Sequence, residues 1–484
     1  MLSKVDIQER LMRLGWLKDL LLLTALSLVL LLPGLGQVKH LKSREVRHAE
    51  IIREMSESGD YFVPTLLGKE YYDKPPVFHA IGALLTKCAG APSMTTARLP
   101  SVLAAWLAVL ATYGTGRILI SRTAALVGAI ALLGMPGFSG MARFARPDMI
   151  LCATVVLSGL ALLLGMRESR PQYRALAFAL AGVSAGLGTL AKGPWGLVFP
   201  VLLAVLVWFA RRDWKLPKAG WVPFAVCFLV VLAAWAVPVY LRDGGRYLSL
   251  MLRQPDLQVG EAPWDPISRY LIKGLALTLP MSLFLPLAVR DWWRRGYSPL
   301  LAFALVVLII FVAIPKKRPH YLLPMYPFLA LGIAECIIQE VRQRRWLRNA
   351  ASITIGGFVI GAILYYAFIE GLYSPSEDPD LQVARRLVKE TPPESRVYAL
   401  ALQGEEEALA WIGHRRIQVV DLDGDPASAM AVLQRAPTGS YLATTSLERT
   451  ALEAGRVAPR LQLLTEVQDR KYEVLLFRIV DPGN

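Results

Sequence analysis

The residues best suited to chemistry in this 484-residue chain are basic side chains set in short gaps between long apolar runs. Lys316-Lys317-Arg318 separates two such runs, Lys192 stands in the gap Ala191-Lys192-Gly193-Pro194, and Arg143 and Arg146 share another gap with Asp148. Basic groups held at a membrane surface suit an anionic headgroup, above all a phosphate, because they make charge-assisted hydrogen bonds to its oxygens. A lone lysine at the end of a span is equally well explained as a snorkelling anchor. A triple cluster is harder to explain that way.

A polar stretch nearer the N-terminus adds acids. In Lys42–Met55, the apolar Val46, Ala49, Ile52 and Met55 recur at three-residue spacing, which predicts a helix lying on the membrane. Its other face carries acids and bases; for Glu50, Arg53, Glu54, Glu57 and Asp60 a solvated face is the expectation. Ser58-Gly59-Asp60 reads as a turn. Tyr71-Tyr72-Asp73-Lys74-Pro75-Pro76 follows, its prolines opening an interfacial helix over Pro75–Cys88, too short for a span and holding His79 and Lys87.

The elements that must position these residues are membrane spans. Hydrophobic residues make up 54% of the chain, charged ones 19%, and mean hydropathy is +0.42; a soluble domain carries about a quarter charged residues. The net charge of +15 comes from 53 Lys/Arg against 38 Asp/Glu. Its clustering between apolar runs argues against a nucleic-acid partner, which needs a solvated basic stripe. Cys88, Cys152, Cys227 and Cys336 are far apart and form no metal or redox spacing, so they read as small buried hydrophobes.

Uncharged runs long enough for a bilayer core fall near 20–38, 99–116, 123–142, 149–166, 175–191, 193–210, 219–241, 274–289, 297–315, 319–334 and 349–369. The first lacks an A-x-A-type cleavage site and reads as a retained span. With Met1 inside, every second loop is strongly basic, as in Arg211/Arg212/Lys215/Lys218 and Arg342/Arg344/Arg345, which satisfies the positive-inside rule. The fold class expected is therefore a polytopic α-helical membrane protein of about eleven spans. Segments 39–98, 242–265 and the tail then lie outside.

The tail is different material: from Ser374 onward it holds 13 Lys/Arg and 17 Asp/Glu, a net of −4 within the chain's +15. Helical stretches (Leu381–Lys389, Glu405–Trp411, Ala427–Gln434, Leu447–Ala454) alternate with strands (Val397–Leu402, Ile417–Val420, Tyr441–Thr445, Leu461–Val467, Tyr472–Val480). That order predicts a small periplasmic α/β domain over 372–484, after a membrane domain over 1–371.

Several ordered motifs carry a resemblance: Arg47-His48-Ala49-Glu50-Ile51-Ile52-Arg53-Glu54-Met55, Ser58-Gly59-Asp60, Tyr71 to Pro76, Ala145-Arg146-Pro147-Asp148-Met149, Leu190-Ala191-Lys192-Gly193 and Lys317-Arg318-Pro319-His320-Tyr321-Leu322-Leu323-Pro324. Together they resemble the bacterial GT-C glycosyltransferases related to protein O-mannosyltransferases, and most nearly the lipid A aminoarabinose transferases, over residues 10 to 335. The resemblance implies a bacterial inner-membrane enzyme that takes a sugar from an undecaprenyl-phosphate carrier on the outer side. The acceptor would be lipid A, another envelope glycan or a protein. It also implies roles: Glu45 and Asp148 as the catalytic acids, Glu45 standing where the family has an Asp-Glu pair and this chain has Arg44-Glu45. Tyr71, Lys74, Lys317 and Tyr321 match carrier-phosphate positions. Lys192 and Arg318, in matching motifs, and Arg253, standing for the family's loop arginine, are expected to bind the carrier phosphate with them.

These residue types suit that reaction. A phosphate leaving group needs cations that stabilise its growing charge, and a carboxylate can take the proton of a hydroxyl acceptor. No GxGxxG or Walker loop occurs, which argues against a nucleotide-sugar donor. A divalent metal at Asp73, His79, Asp148 or Glu45 finds no diagnostic spacing. The rival reading, a lipid or solute transporter, predicts internal repeats and polar residues within spans; here the spans are nearly free of charge and the polar clusters share one side.

Overall fold

Apolar runs in this chain become helices, since a segment surrounded by lipid must satisfy its own backbone donors and acceptors. The computed structural model describes residues 4–36, 43–211, 218–253, 267–296, 298–314, 318–341, 344–369, 379–400, 402, 405–420, 426–448, 452, 457, 460–468 and 473–481. Two compact units divide the chain: Met1–Leu35, Tyr72–Phe78 and Arg98–Leu372 in the first, Gly36–Tyr71, His79–Ala97 and Tyr373–Asn484 in the second.

The first unit holds α1 (Lys4–Leu31), most of α4 (Met94–Leu119), α5 (Arg122–Gly134), α6 (Pro136–Ala142), α7 (Asp148–Arg167), α8 (Pro171–Lys192), α9 (Trp195–Ala210), α10 (Trp221–Asp243), α11 (Arg246–Arg253), α12 (Ile267–Leu277), α13 (Leu285–Arg295), α14 (Pro299–Ala313), α15 (Tyr326–Val341) and α16 (Arg345–Leu364). Among the described residues, six helices are long and apolar enough to cross a membrane, or up to eight if each of two bent pairs is one span. Those bends correct the expectation of unbroken helices over 123–142 and 274–289. At Met135-Pro136 the chain turns 66° between α5 and α6, and around Pro280 it turns 104° between Tyr270–Leu277 and Met281–Arg295. Proline has no N–H to continue a helical ladder and its ring crowds the preceding turn.

Small residues let the helices approach closely, as is usual where both sides of an interface are apolar. Gly188 on α8 faces Gly196 on α9, and a Cβ on Gly196 would stand 2.3 Å from the Thr189 nitrogen. Gly193, at φ +81°, closes the end of α8 between them. Lys192 is held at the tip of this tight corner.

In the second unit lie α2 (Ser43–Ser58), a hairpin of β1 (Thr65–Leu66) and β2 (Lys69–Glu70), most of α3 (Val77–Ala89), and the tail. The tail comprises α17 (Pro379–Glu390), β3 (Val397–Leu400), α18 (Glu405–Gly413), β4 (Ile417–Val420), α19 (Pro426–Gln434), β5 (Tyr441–Thr445), β6 (Leu461–Gln468) and β7 (Glu473–Ile479). Its sheet runs β4-β3-β5-β7-β6, parallel across β4, β3 and β5 and antiparallel through β7 and β6. All five expected strands are present. Of the helix expected over Leu447–Ala454, the described residues are a 3₁₀ turn at Ser446–Glu448 and Leu452, which is helical; the rest lies outside the described residues.

The solvated face expected on α2 holds for Glu57, which is exposed, but not for Glu50 and Arg53. Glu50 is fully buried and Arg53 is 2% exposed. The apolar face is buried too, so period-three spacing identified the helix but not its surroundings. α2 lies against α18, where Arg47 Nε donates to Glu407 at 2.8 Å. Arg53 holds Glu50 through two nitrogens at 2.5 and 2.9 Å and Glu57 through a third at 2.6 Å.

Candidate active site

Asp148 opens α7, Lys192 closes α8, and these two helices are neighbours in the first unit. An acid at a helix N-terminus and a base at a C-terminus each complement the helix dipole, so the two ends are suited to carry opposite charges side by side. Lys192 Nζ donates to Asp148 Oδ1. The Asp148 carboxylate is 2% exposed and is approached by two further cation-capable groups, Arg146 Nε at 3.6 Å and His320 Nε2 at 3.9 Å.

The 3₁₀ turn Pro319–Met325, which packs on α7, delivers His320 and Tyr321. The Tyr321 ring lies 4.6 Å beneath Lys192 Nζ and 4.9 Å from the His320 ring. Lys74 is within electrostatic reach of Lys192, and Arg318 of His320. On α12, buried Tyr270 is within electrostatic reach of Tyr321. Around one carboxylate the fold thus gathers lysine, arginine and histidine side chains with two tyrosines.

This cluster is incompletely satisfied. Arg146 Nε, Asp148 Oδ2, His320 Nε2 and the Tyr270 hydroxyl are buried and make no hydrogen bond among the described residues. Buried polar atoms are almost always bonded, and several orphans in one place mark a spot where a polar ligand would bond. A phosphate, with several acceptor oxygens, matches the donors in the group.

Of the residues singled out from sequence, Asp148, Lys192, Tyr321, Lys74 and Arg318 come together here. Lys317 lies outside the described residues. Arg253 is exposed at the end of α11. On the same helix Arg246 donates to the Tyr72 hydroxyl at 3.3 Å, and the Tyr247 and Tyr72 rings are 5.1 Å apart. Glu45 and Tyr71 belong to the second unit. Glu45 is fully buried in the first turn of α2, and Tyr71 is buried edge-on to His79 with ring centres 5.9 Å apart. His79 also shares a 2.9 Å hydrogen bond with His48, and burial holds its imidazole down to about 3. Among the described residues no three His, Cys, Asp or Glu side chains are grouped to hold a metal.

Arg146 was visible from sequence as a basic residue in a gap between apolar runs, whereas His320 and Tyr270 were not singled out. His320 sits inside a quoted motif beside Tyr321, so adjacency was its available signal. Tyr270 had none.

An apolar groove of about 670 Å³ runs between α12, α13, α14 and the 3₁₀ turn, lined by Leu275, Trp292, Leu305 and Leu322 among others. Leu322 is two residues from His320.

A many-helix unit with a small sheet unit is the fold also found in solved structures of ArnT and of an archaeal oligosaccharyltransferase. By sequence the chain is similar to aminoarabinose transferases and, over part of its length, to a protein mannosyltransferase family. Residues 73–237 match the family described as dolichyl-phosphate-mannose-protein mannosyltransferase. An undecaprenyl phosphate-α-4-amino-4-deoxy-L-arabinose arabinosyl transferase of Pseudomonas fluorescens is 28% identical over 70% of this chain and 62% of its own length. A counterpart in Edwardsiella ictaluri is 30% identical over 65% and 58%. The chain therefore spans about three fifths of these relatives. Among solved structures, ArnT of Cupriavidus metallidurans bound to undecaprenyl phosphate aligns with a TM-score of 0.76 at 18% identity, covering 97% of this chain and 99% of that one. The oligosaccharyltransferase of Archaeoglobus fulgidus aligns at 0.58 and 13% identity, covering 91% and 70%.

Proposed function

We propose that the chain is an integral-membrane glycosyltransferase that moves a sugar from an undecaprenyl-phosphate carrier to lipid A, another envelope glycan or a protein. The observation that carries this reading is the pair of buried nitrogens, Arg146 Nε and His320 Nε2, that make no hydrogen bond among the described residues and lie beside Lys192 and Asp148. The apolar groove, which Leu322 helps to line two residues from His320, fits a prenyl chain whose phosphate lies beside those nitrogens.

In the reaction, an acceptor oxygen attacks the anomeric carbon, the bond from that carbon to the carrier phosphate oxygen breaks, and the electron pair leaves with the phosphate. Lys192, Arg146 and Lys74 stabilise the phosphate charge as it grows from a diester to a monoester. The leaving group needs no proton, so the acids serve the acceptor or the cations. Asp148, engaged by Lys192, orients the cations. Glu45 is the candidate to take the proton of a hydroxyl acceptor, an effect worth ~10²–10⁴-fold. One direct displacement inverts the anomeric centre.

The reading includes a topology of eleven spans with the N-terminus cytoplasmic. The membrane domain covers 1–371, and a periplasmic α/β domain over 372–484 follows it. The alternation of basic loops supports it. With the native cysteines removed, cysteines placed at Lys74, Arg253 and Lys317 should react with an impermeant thiol reagent in spheroplasts, and one at Arg211 should not; the reverse pattern overturns the topology.

Function is tested by turnover. Purified protein supplied with a synthetic undecaprenyl-phosphate sugar and membrane extract should consume the donor and release undecaprenyl phosphate. Glu45→Gln should retain donor binding and lose most transfer, since it keeps shape and removes the base. Donor that stays intact with every extract and sugar tried, while a labelled lipid or solute crosses proteoliposome membranes, favours the transporter reading instead.

A further inference from the structure

The second unit has a pocket of its own, of about 550 Å³, that the transfer reaction does not use. It lies where the β1–β2 hairpin and the C-terminal end of α2 meet the sheet edge formed by β4. Three exposed basic residues line it: Lys69, Arg396 and Arg416.

Strand register sets the two arginines side by side. Val397 pairs with Ile417 in parallel, so the residues immediately before them, Arg396 and Arg416, are neighbours across strands spaced about 4.8 Å apart. Like charges so placed repel. Neither side chain has an ion-pair or hydrogen-bond partner among the described residues.

The acids that share the pocket are already engaged. Glu54 accepts from Thr65 Oγ1 at 2.5 Å and from the Gly68 nitrogen at 3.1 Å. Glu57 is held by Arg53 at 2.6 Å. Glu54 keeps its charge, bonded to neutral donors, and Glu57 is paired with Arg53, so Lys69, Arg396 and Arg416 leave the lining net positive.

The arginine pair is also held in place from behind. The neighbouring Arg415 is buried, and its guanidinium donates to the Pro392 carbonyl at 3.0 Å, the Thr391 carbonyl at 3.2 Å and Ser395 Oγ at 3.3 Å. That ties the chain entering β4 to the chain entering β3. The Tyr441 nitrogen fixes the Arg396 carbonyl from the other side, at 2.9 Å. Two guanidinium forks presented on a fixed backbone are the arrangement that binds a doubly charged oxyanion, whereas a single carboxylate needs one fork.

We propose that this pocket binds a phosphomonoester carried on a group of sugar or lipid-headgroup size. The size follows from the volume, which far exceeds that of inorganic phosphate and lies in the usual range for small-molecule sites. The hairpin supports the same view: Leu67, which lines the pocket, is in the left-handed region at φ +54°. Such backbone persists where its surroundings hold it. The proposal is independent of the transferase reading and stands or fails apart from it.

The test uses the full chain in an uncharged detergent at fixed ionic strength. Glucose 1-phosphate and a short-chain phosphatidic acid in mixed micelles are each titrated by calorimetry. The wild type should bind at least one of them. Arg396→Gln with Arg416→Gln should weaken that binding about tenfold or more, as loss of charge-assisted bonds demands. Arg396→Lys with Arg416→Lys should fall between, since it keeps charge but loses the fork. Both side chains are exposed, so each variant should keep the wild-type thermal transition. Binding of the sugar phosphate alone identifies a soluble source, and of the phosphatidic acid alone a lipid source. The proposal is overturned if neither ligand binds, or if the glutamine pair binds as tightly as the wild type.

Discussion

Arg53 and Glu50, three residues apart on α2, form a two-armed ion pair that is almost wholly buried, with nitrogen–oxygen distances of 2.5 and 2.9 Å. Arg53 also reaches the Arg415 carbonyl at 3.5 Å, 362 residues along the chain. The pair is therefore part of how α2 and the tail make one unit. Burial pushes the Glu50 carboxyl up to about 7, against the pull of Arg53 in the other direction. Burial also lifts Glu407, the partner of Arg47.

The first prediction follows from the sign of those shifts. An acid whose folded pKa is raised takes up a proton on folding, so its stabilising contribution is complete below its unfolded value of 4.5 and is lost as pH rises through about 7. The unfolding midpoint of the second unit should therefore fall between pH 5 and pH 8. Glu50→Gln, which mimics the protonated form, should flatten that dependence. A midpoint equally steep in the variant assigns the slope to other groups.

The second prediction concerns Lys192. Removing it leaves the Asp148 carboxylate buried without its hydrogen-bonded cation, which typically costs 3–5 kcal/mol. Lys192→Ala should accordingly lower the thermal transition sharply, and adding Asp148→Asn should recover part of the loss. Additive losses in the two variants would mean that the residues are not coupled in the folded protein.

His320 and Arg146 supply the third. Each contributes a buried nitrogen without a hydrogen bond among the described residues. His320→Ala and Arg146→Ala should each weaken undecaprenyl phosphate binding by roughly ten- to a hundredfold, the loss expected for a bond to a charged oxygen. Binding measured by quenching or mass spectrometry that stays unchanged in both would move the phosphate elsewhere.

How far sequence carried the structure can be judged at these same residues. Helices and strands were legible because each depends on local pattern: uncharged length, proline at first turns, and alternation in the tail. The breaks at Pro136 and Pro280 were missed although both prolines were visible, since an apolar run of span length outweighed a single residue. Lys192 and Asp148 could be noticed as charges among apolar runs, but nothing local said that they pair. Arg53 and Glu50 were read as solvated because the helix that covers them, α18, lies some 350 residues later. Burial that arises between distant segments leaves no periodicity behind.

The last prediction tests whether the corner that carries Lys192 is as tight as its glycines indicate. A Cβ on Gly196 would come 2.3 Å from the Thr189 nitrogen and 2.4 Å from the Gly188 carbonyl carbon. Both are backbone atoms of a helix and cannot rotate aside, so α8 and α9 must separate. Overpacking of this kind costs about 1–3 kcal/mol. The shift falls on the last turn of α8, and Lys192 should move with it away from Asp148. Gly196→Ala is thus expected to lower the thermal transition and to weaken carrier binding together. Gly361→Ala on α16 is the control, because nothing lies within 4 Å of its added methyl group. In a helix interior that change should be neutral or stabilise by up to about 1 kcal/mol. If both alanines behave alike, close approach at Gly196 does not hold Lys192 in place.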